Sequence, residues 1–232
     1  MIIKNILSRF KRSPHKDPRP SLNNLDQKLA KYLNFKKGFF IEVGANDGYS
    51  QSNTYYLETI QNWHGILIEG IPELYERCRK ERPKSTVINC ALVSNTYKHK
   101  TITMHYAHLM SVVEGSLKSN EEQESHLEAG IEVQNLDASY SLDVPAKTLE
   151  TILDNTIKDW SMIDFFSLDV EGYELNVLEG LNLNKYRPKY ILVEARFFEE
   201  VNDFLERHQY KLVEKMSYHD YFYEKSSNKK CR

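Results

Sequence analysis

The sequence predicts an α/β domain built on buried, mostly parallel strands, and three observations predict it. First, Phe39-Phe40-Ile41-Glu42-Val43-Gly44-Ala45-Asn46-Asp47-Gly48 is an apolar run broken by one acid, then a turn of small and polar residues. A polar run toward Tyr55-Tyr56-Leu57 follows, so the stretch has the pattern of a buried strand, a tight loop and a helix. Second, Gly65-Ile66-Leu67-Ile68-Glu69, Ile163 to Asp169 and Tyr190-Ile191-Leu192-Val193-Glu194 are further short apolar runs, each ending in an acid. Third, helical patterns separate these runs, the alternation of βαβ units.

Residues 1–21 precede the domain. Ile2, Ile3, Ile6, Leu7 and Phe10 share one helical face, with Lys4, Arg9, Lys11 and Arg12 largely elsewhere, a basic amphipathic segment suited to an anionic membrane surface. Pro14, Pro18 and Pro20 mark a linker. The domain, 22–225, opens with a helix from Leu22 to Leu33, apolar at 22, 25, 29, 30 and 33. Gln51-Ser52-Asn53-Thr54 starts the helix after the first loop, and Pro72 suits the first turn of the next one. Thr86 to Leu92 reads as a third strand and its exit, and Thr101 to Tyr106 alternates like an added strand. Ala107 to Ser141 is polar and weakly periodic, so it is expected to be a long loop, a substrate-facing insertion or lid. Val144 to Leu149 leads into a helix through Leu153; the strand ending at Asp169, a helix from Tyr173 to Gly180, the strand ending at Glu194 and a helix from Arg196 to His208 follow. Lys211–Val213 and Tyr221–Tyr223 close the domain as an antiparallel hairpin around Tyr218-His219-Asp220, before a polar tail at 226–232.

At 232 residues the chain suits one domain better than two. A formal charge of −2 gives no global attraction to nucleic acid. Cys78, Cys90 and Cys231 form neither a disulfide framework nor a zinc spacing, the pattern of a reducing, cytoplasmic protein. No run approaches the roughly 18 apolar residues of a spanning helix, and the start lacks the long apolar core of a signal peptide. Any membrane contact is therefore expected to be peripheral, through residues 1–12.

The first loop carries Glu-x-Gly-x-x-x-Gly at Glu42, Gly44 and Gly48. A dinucleotide fingerprint would need glycine at 46 and 49, where Asn46 and Tyr49 stand. The spacing resembles instead the first motif of Rossmann-like methyltransferases that use S-adenosylmethionine. Glu69, 21 residues past Gly48, lies where such a unit places the carboxylate for ribose hydroxyls, and Asn89, Cys90 and Ala91 are expected beside the adenine. Together, the GANDG loop, Ser52-Asn53-Thr54, Trp63-His64-Gly65-Ile66-Leu67-Ile68-Glu69 and Ser167-Leu168-Asp169-Val170-Glu171-Gly172-Tyr173-Glu174 resemble the FkbM family of S-adenosylmethionine-dependent methyltransferases, from about Gly38 to Glu194. The resemblance implies the class I fold, a mostly parallel seven-stranded sheet with an antiparallel last strand and helices on both faces, and O-methyl transfer, often to sugars or polyketide hydroxyls. It implies cofactor contacts from the first loop, Glu42 to Gly48, with Ala45 and Asp47 included, and from Ser52, Asn53 and Glu69. Asp169 stands where the methyl group points. Gly70 departs from the proline common in related sequences.

Methyl transfer to a hydroxyl needs alignment and one proton acceptor. Asp169 is the first candidate base, and His105 and His108, beside the insertion, are alternatives. Asp169 and Glu194 end strands expected to be neighbours, so they are also candidate ligands of a shared Mg²⁺, although a metal-free site is the preferred form. Two other readings are a non-catalytic binding protein of the same fold and a nucleotide-sugar oxidoreductase. The strand-end acids weigh against the first, and the absent glycine at 46 and lack of a helical Tyr-x-x-x-Lys pair weigh against the second.

Overall fold

The computed structural model describes residues 16–157 and 163–226; the amphipathic segment expected at 1–12 and most of the tail expected at 226–232 lie outside them. Along the chain, α1 (Leu25–Leu29) leads into β1 (Phe39–Val43), α2 (Tyr55–Thr59), β2 (His64–Glu69), α3 (Pro72–Glu81) and β3 (Thr86–Asn89). The alternation is then interrupted by β4 (Ala91–Leu92), β5 (Thr101–Tyr106), β6 (Val112–Val113), α4 (Asn120–Gln134) and β7 (Tyr140–Lys147). It resumes with α5 (Leu149–Thr156), β8 (Phe165–Leu168), α6 (Glu174–Glu179), β9 (Tyr190–Glu194) and α7 (Phe198–Arg207), and ends in the hairpin β10 (Tyr210–Lys215) and β11 (Asp220–Lys225).

The main sheet has seven strands in the order β3-β2-β1-β8-β9-β11-β10. Its first five positions are parallel neighbours, whereas β11 runs antiparallel to both β9 and β10. This is the expected class I arrangement. The chain winds outward from β1 in one direction through β2 and β3 and in the other from β8 through β9. That reversal opens a crevice at the carboxyl ends of β1 and β8, the place where open α/β sheets bind ligands.

Alternation along the strands assigns the two faces. Ile41 and Val43 of β1 join Ile66, Phe166, Ile191 and Val193 in one core; Phe40 joins Leu25, Leu29, Leu33, Leu57, Trp63 and Cys78 in the other. Glu42, two residues from Phe40, shares the second face, where a carboxylate needs a buried partner. Three expectations change here. The leading helix is shorter, a 3-10 turn at Leu22–Asn24 followed by α1, because Asn23 and Asn24 adopt left-handed backbone (φ 53° and 55°), which asparagine tolerates. The expected loop at 107–141 contains the 15-residue helix α4. Ser119 caps it by accepting from Glu122 N, and Asn135 ends it at φ 51°, but its buried face holds only His126 and Gly130, so little apolar period marks it. Finally, β7 extends through residues expected to lead a helix. Leu142, Val144 and Ala146 alternate onto the small core of a second sheet, ordered β4-β7-β5-β6.

Candidate functional site

The carboxyl ends of β1, β2, β8 and β9 open on a cavity of about 390 Å³, within the usual range for small-molecule sites. The loop after β1 forms one wall. Gly44 takes φ +81°, and a Cβ built on it would fall on the backbone oxygen of Asp169, so the close approach of this loop to the end of β8 requires glycine. Gly44 N and Ala45 N both donate to Ile68 O at 3.1 Å, and Asn46 N donates to Glu69 Oε2 at 2.7 Å. The first and second strand ends are thereby tied together. Glu69 Oε1 accepts from Ile71 N at 2.8 Å. Burial pushes the Glu69 carboxyl up to about 7, against the pull of the amides of Ile71 and Asn46. Each oxygen keeps a lone pair for a hydroxyl donor.

Glu42 is held differently. It accepts from Ser52 Oγ (3.0 Å), Asn53 N (3.0 Å), Thr54 Oγ1 (2.6 Å) and Arg82 Nη1 (3.3 Å). Arg82, with its side chain 0% exposed, also donates to Glu58, to Gly48 O at 3.2 Å and to Thr54 Oγ1 at 2.8 Å. Glu42 therefore shapes the loop that lines the cavity, with its carboxylate already engaged by the protein. Sequence reasoning missed Arg82; a single arginine at the end of an amphipathic helix carries no signal of burial.

At the other side, Asp169 follows β8 and Glu194 ends β9, whose registers run side by side through Leu168 and Val193. Their carboxyl groups are close enough to influence each other's titration. Burial raises both, and neighbouring carboxylates add to it: Glu194 with Glu171 and Glu174 around Asp169, and Asp220 and Glu171 around Glu194. Asp169 is thereby held well above the ordinary carboxylate range and Glu194 is pushed up to about 7, as burial and crowding of like charges disfavour the ionised forms. Arg196 directs its hydrogen bonds to Glu171 Oε2 (3.2 Å) and His126 Nδ1 (3.1 Å). Among the described residues no group of three or more His, Cys, Asp or Glu side chains is placed to hold a metal, so the expected ligand pair Asp169 and Glu194 finds no third member.

The cavity brings together Glu42, Gly44, Ala45, Asn46, Ser52, Asn53, Glu69, Cys90, Ala91, His108, Asp169 and Glu194. Four expected site residues stand elsewhere. Asp47 closes its own turn, accepting from Tyr49 N at 2.9 Å and Ser50 N at 2.7 Å. Gly48 (φ +82°) packs against Cys78 and Arg82, so its positive φ serves the turn rather than a ligand. Asn89 spends its amide on Glu69 O and Gly70 O, at 2.9 and 2.8 Å. His105 bonds Ser141 across the second sheet at 2.8 Å, because it alternates to the face opposite Met104, which does line the cavity. Met104 also accounts for Gly70: a Cβ there would strike its sulfur.

Strand order and a glycine loop at the switch point define a class I methyltransferase. The sequence itself matches the methyltransferase FkbM domain over residues 42–212, and the chain belongs to that family of S-adenosylmethionine-dependent methyltransferases. No well-characterised protein sequence matches it as a relative. Among solved structures it is similar to a TehB-like SAM-dependent methyltransferase from Corynebacterium glutamicum, at 8% identity over 87% of this chain and 88% of that one, TM-score 0.43. It is also similar to a SAM-dependent methyltransferase from Aquifex aeolicus, at 12% identity over 90% and 98%, TM-score 0.43. A third similar structure is human methyltransferase 10 domain containing protein, at 10% identity over 87% and 81%, TM-score 0.48. The residues present fit S-adenosylmethionine. The glycine cradle at 44 admits close backbone approach, Glu69 offers acceptors for ribose hydroxyls, and Cys90 and Ala91 supply an apolar wall for a base.

Proposed function

We propose that the protein transfers a methyl group to a hydroxyl of a sugar, free or within a polysaccharide, glycolipid or glycosylated metabolite. The observation that carries the O-methyl reading is the pair of strand-end carboxyls Asp169 and Glu194 on the cavity wall, with the end of β8 against the glycine loop at Gly44. When bound, S-adenosylmethionine supplies a methyl carbon activated by its positive sulfur. Glu69 would hold the ribose end and Gly44 to Asn46 the amino-acid end, while Ser52, Asn53 and Glu42 keep that loop in shape. The carboxylate of the Asp169–Glu194 pair would orient the acceptor O–H along the line of transfer and take its proton as the O–C bond forms and the methyl carbon's bond to sulfur breaks, its electron pair returning to the sulfur of the departing S-adenosylhomocysteine. A positioned base of this kind typically contributes about 10²–10⁴-fold.

His108 lines the cavity too, in left-handed backbone (φ 54°) and with Nδ1 buried without a partner, which makes it an acceptor-positioning candidate. The sugar itself is supported by the family resemblance and by the acidic, hydroxyl-accepting character of the cavity. Met110, Val133 and Gln134 also line the cavity, so the region 107–141 supplies an acceptor-side wall. Free, buried Cys78 and Cys90 are consistent with a reducing, cytoplasmic setting, and no helix among the described residues is long and apolar enough to cross a membrane. The test is incubation of glycans and nucleotide sugars with methyl-labelled cofactor. Label in a glycan, stable to base as an ether is, supports the reading; label confined to protein, nucleic acid or an amine overturns it.

A further inference from the structure

A second depression, of about 400 Å³, runs along β5 on the small sheet. It shares a wall with the main cavity, since Tyr173 lines both. Met104 and Val113 face the cavity, and their chain neighbours Thr103 and Glu114 face the groove, so the two lie on opposite faces of β5 and β6 and meet at Tyr173.

The groove's chemistry is specific. Tyr97, His99 and Tyr173 supply rings, with Tyr97 edge-on to His99 at 5.5 Å and its hydroxyl fixed on Thr101 O at 2.8 Å. Glu114 and Asp143 supply carboxylates. Thr103 Oγ1 donates to Asp143 Oδ1 at 2.8 Å, which orients the carboxylate and leaves Oδ2 for another donor. No Lys or Arg is among the lining residues. In the main cavity Arg196 is the one Lys or Arg among the lining residues, and it is bonded to Glu171 and His126. Rings for the C–H faces of a pyranose and carboxylates for its hydroxyls suit a saccharide, whereas two carboxylates without a cation repel phosphate and uronate.

We infer that this groove is a second sugar subsite, holding a further unit of a neutral or amino-sugar oligosaccharide whose methylated unit sits in the main cavity, so that nucleotide sugars and uronates are poor acceptors. The inference rests on the sugar-hydroxyl reading above. The chain would cross Tyr173 to present one hydroxyl at Asp169 and Glu194.

Acceptor kinetics with methyl-labelled cofactor test it, using tetrasaccharides of glucose, glucosamine and galacturonate, the free monosaccharides and UDP-glucose. The wild type is expected to favour neutral or amino tetrasaccharides over the matching monosaccharide at least tenfold in kcat/KM. Asp143→Asn and Glu114→Gln are expected to raise KM for the tetrasaccharide about tenfold, with kcat and the monosaccharide KM unchanged. Glu114→Arg is expected to improve the galacturonate tetrasaccharide, a gain that misfolding cannot produce. Equal use of mono- and tetrasaccharides with no change in the variants, or preference for UDP-glucose, would overturn the groove while leaving sugar methylation intact. Absence of transfer to every glycan would overturn both.

Discussion

Replacing Arg82 by methionine isolates the group that joins the fold to the site. The arginine side chain is 0% exposed and stands between two carboxylates, Glu42 at 3.3 Å and Glu58 at 2.9 Å, both almost fully buried. Methionine keeps much of the aliphatic volume, so a packing role alone would cost under about 1.5 kcal/mol. Removing the cation instead leaves two buried carboxylates unpaired, and breaking one side of such a cluster typically costs about 3–5 kcal/mol. For a chain of this size that corresponds to a fall in Tm of roughly 6–20 °C. Lysine should rescue poorly, because one ammonium cannot reproduce the fork that reaches Glu42, Glu58, Gly48 O, Ser52 and Thr54 together. Urea denaturation of wild type, Arg82→Met and Arg82→Lys, with calorimetric binding of S-adenosylhomocysteine to each, gives both readouts. Since Arg82 fixes Gly48 and Ser52, the loop carrying Gly44 to Asn46 should loosen and binding weaken together with stability. A methionine variant within about 1 kcal/mol of wild type, with unchanged binding, would refute the electrostatic account.

Gly44→Ala should reduce both stability and S-adenosylhomocysteine affinity, because its Cβ falls on Asp169 O at φ +81°; normal melting and binding would show that the loop has room to move. Glu69→Ala should weaken S-adenosylhomocysteine binding by roughly 1–3 kcal/mol, and calorimetry that finds wild-type affinity would remove Glu69 from the ribose site. Asp169→Asn should retain cofactor binding and lose at least ~100-fold in turnover, with Glu194→Gln losing turnover in the same direction; near-normal turnover in both would discard the carboxyl pair. Finally, Glu69 and Glu174, each pushed by burial from 4.5 to about 7, keep their protons in the folded chain where the unfolded chain has lost them. Stability of the ligand-free protein should therefore fall as pH rises from about 4.5 to about 7 and then level, and urea midpoints that rise over that window would contradict the assignment.

The parts of the site that were legible in the sequence are those that local pattern determines. A buried strand must end somewhere, and an acid or glycine at that point is visible as a break in an apolar run, which marks Gly44, Glu69, Asp169 and Glu194; the seven-stranded sheet with its antiparallel last strand is implied only by the family resemblance. What was hidden depends on partners distant in sequence. Gly48 and Asp47 lie in the same motif as Gly44, yet one packs on α3 and the other closes a turn. His105 and His108 look equivalent as letters; the period-two rule turns His105 away from the inward face that Ile102 and Met104 set on β5, whereas His108 reaches the cavity from the 3-10 turn His108–Met110, which no alternation foretells. The helix α4 escaped because its caps, Ser119 and Asn135, were a better signal than its weak apolar period.

The acids around the cavity also explain why the site is built with so little positive charge. Glu69, Glu194 and Asp169, which line it, all have pKa values raised chiefly by burial, so each keeps its proton to a higher pH than an ordinary carboxyl. With Glu69 in the proposed ribose site, cofactor hydroxyls donating into it would favour its charged form and release that proton, so that cofactor affinity and proton affinity would oppose each other at one carboxylate. At Asp169 and Glu194 the same property works in the other direction. In the proposed reaction, a carboxylate whose pKa is raised by burial and by its neighbour would be a stronger base toward an acceptor hydroxyl than an ordinary one. An arginine or lysine placed among these groups would satisfy them and remove both properties. The lining cation Arg196 is instead directed to Glu171 and His126, which leaves the strand-end carboxylates dependent on protons and on the hydroxyl groups of whatever binds.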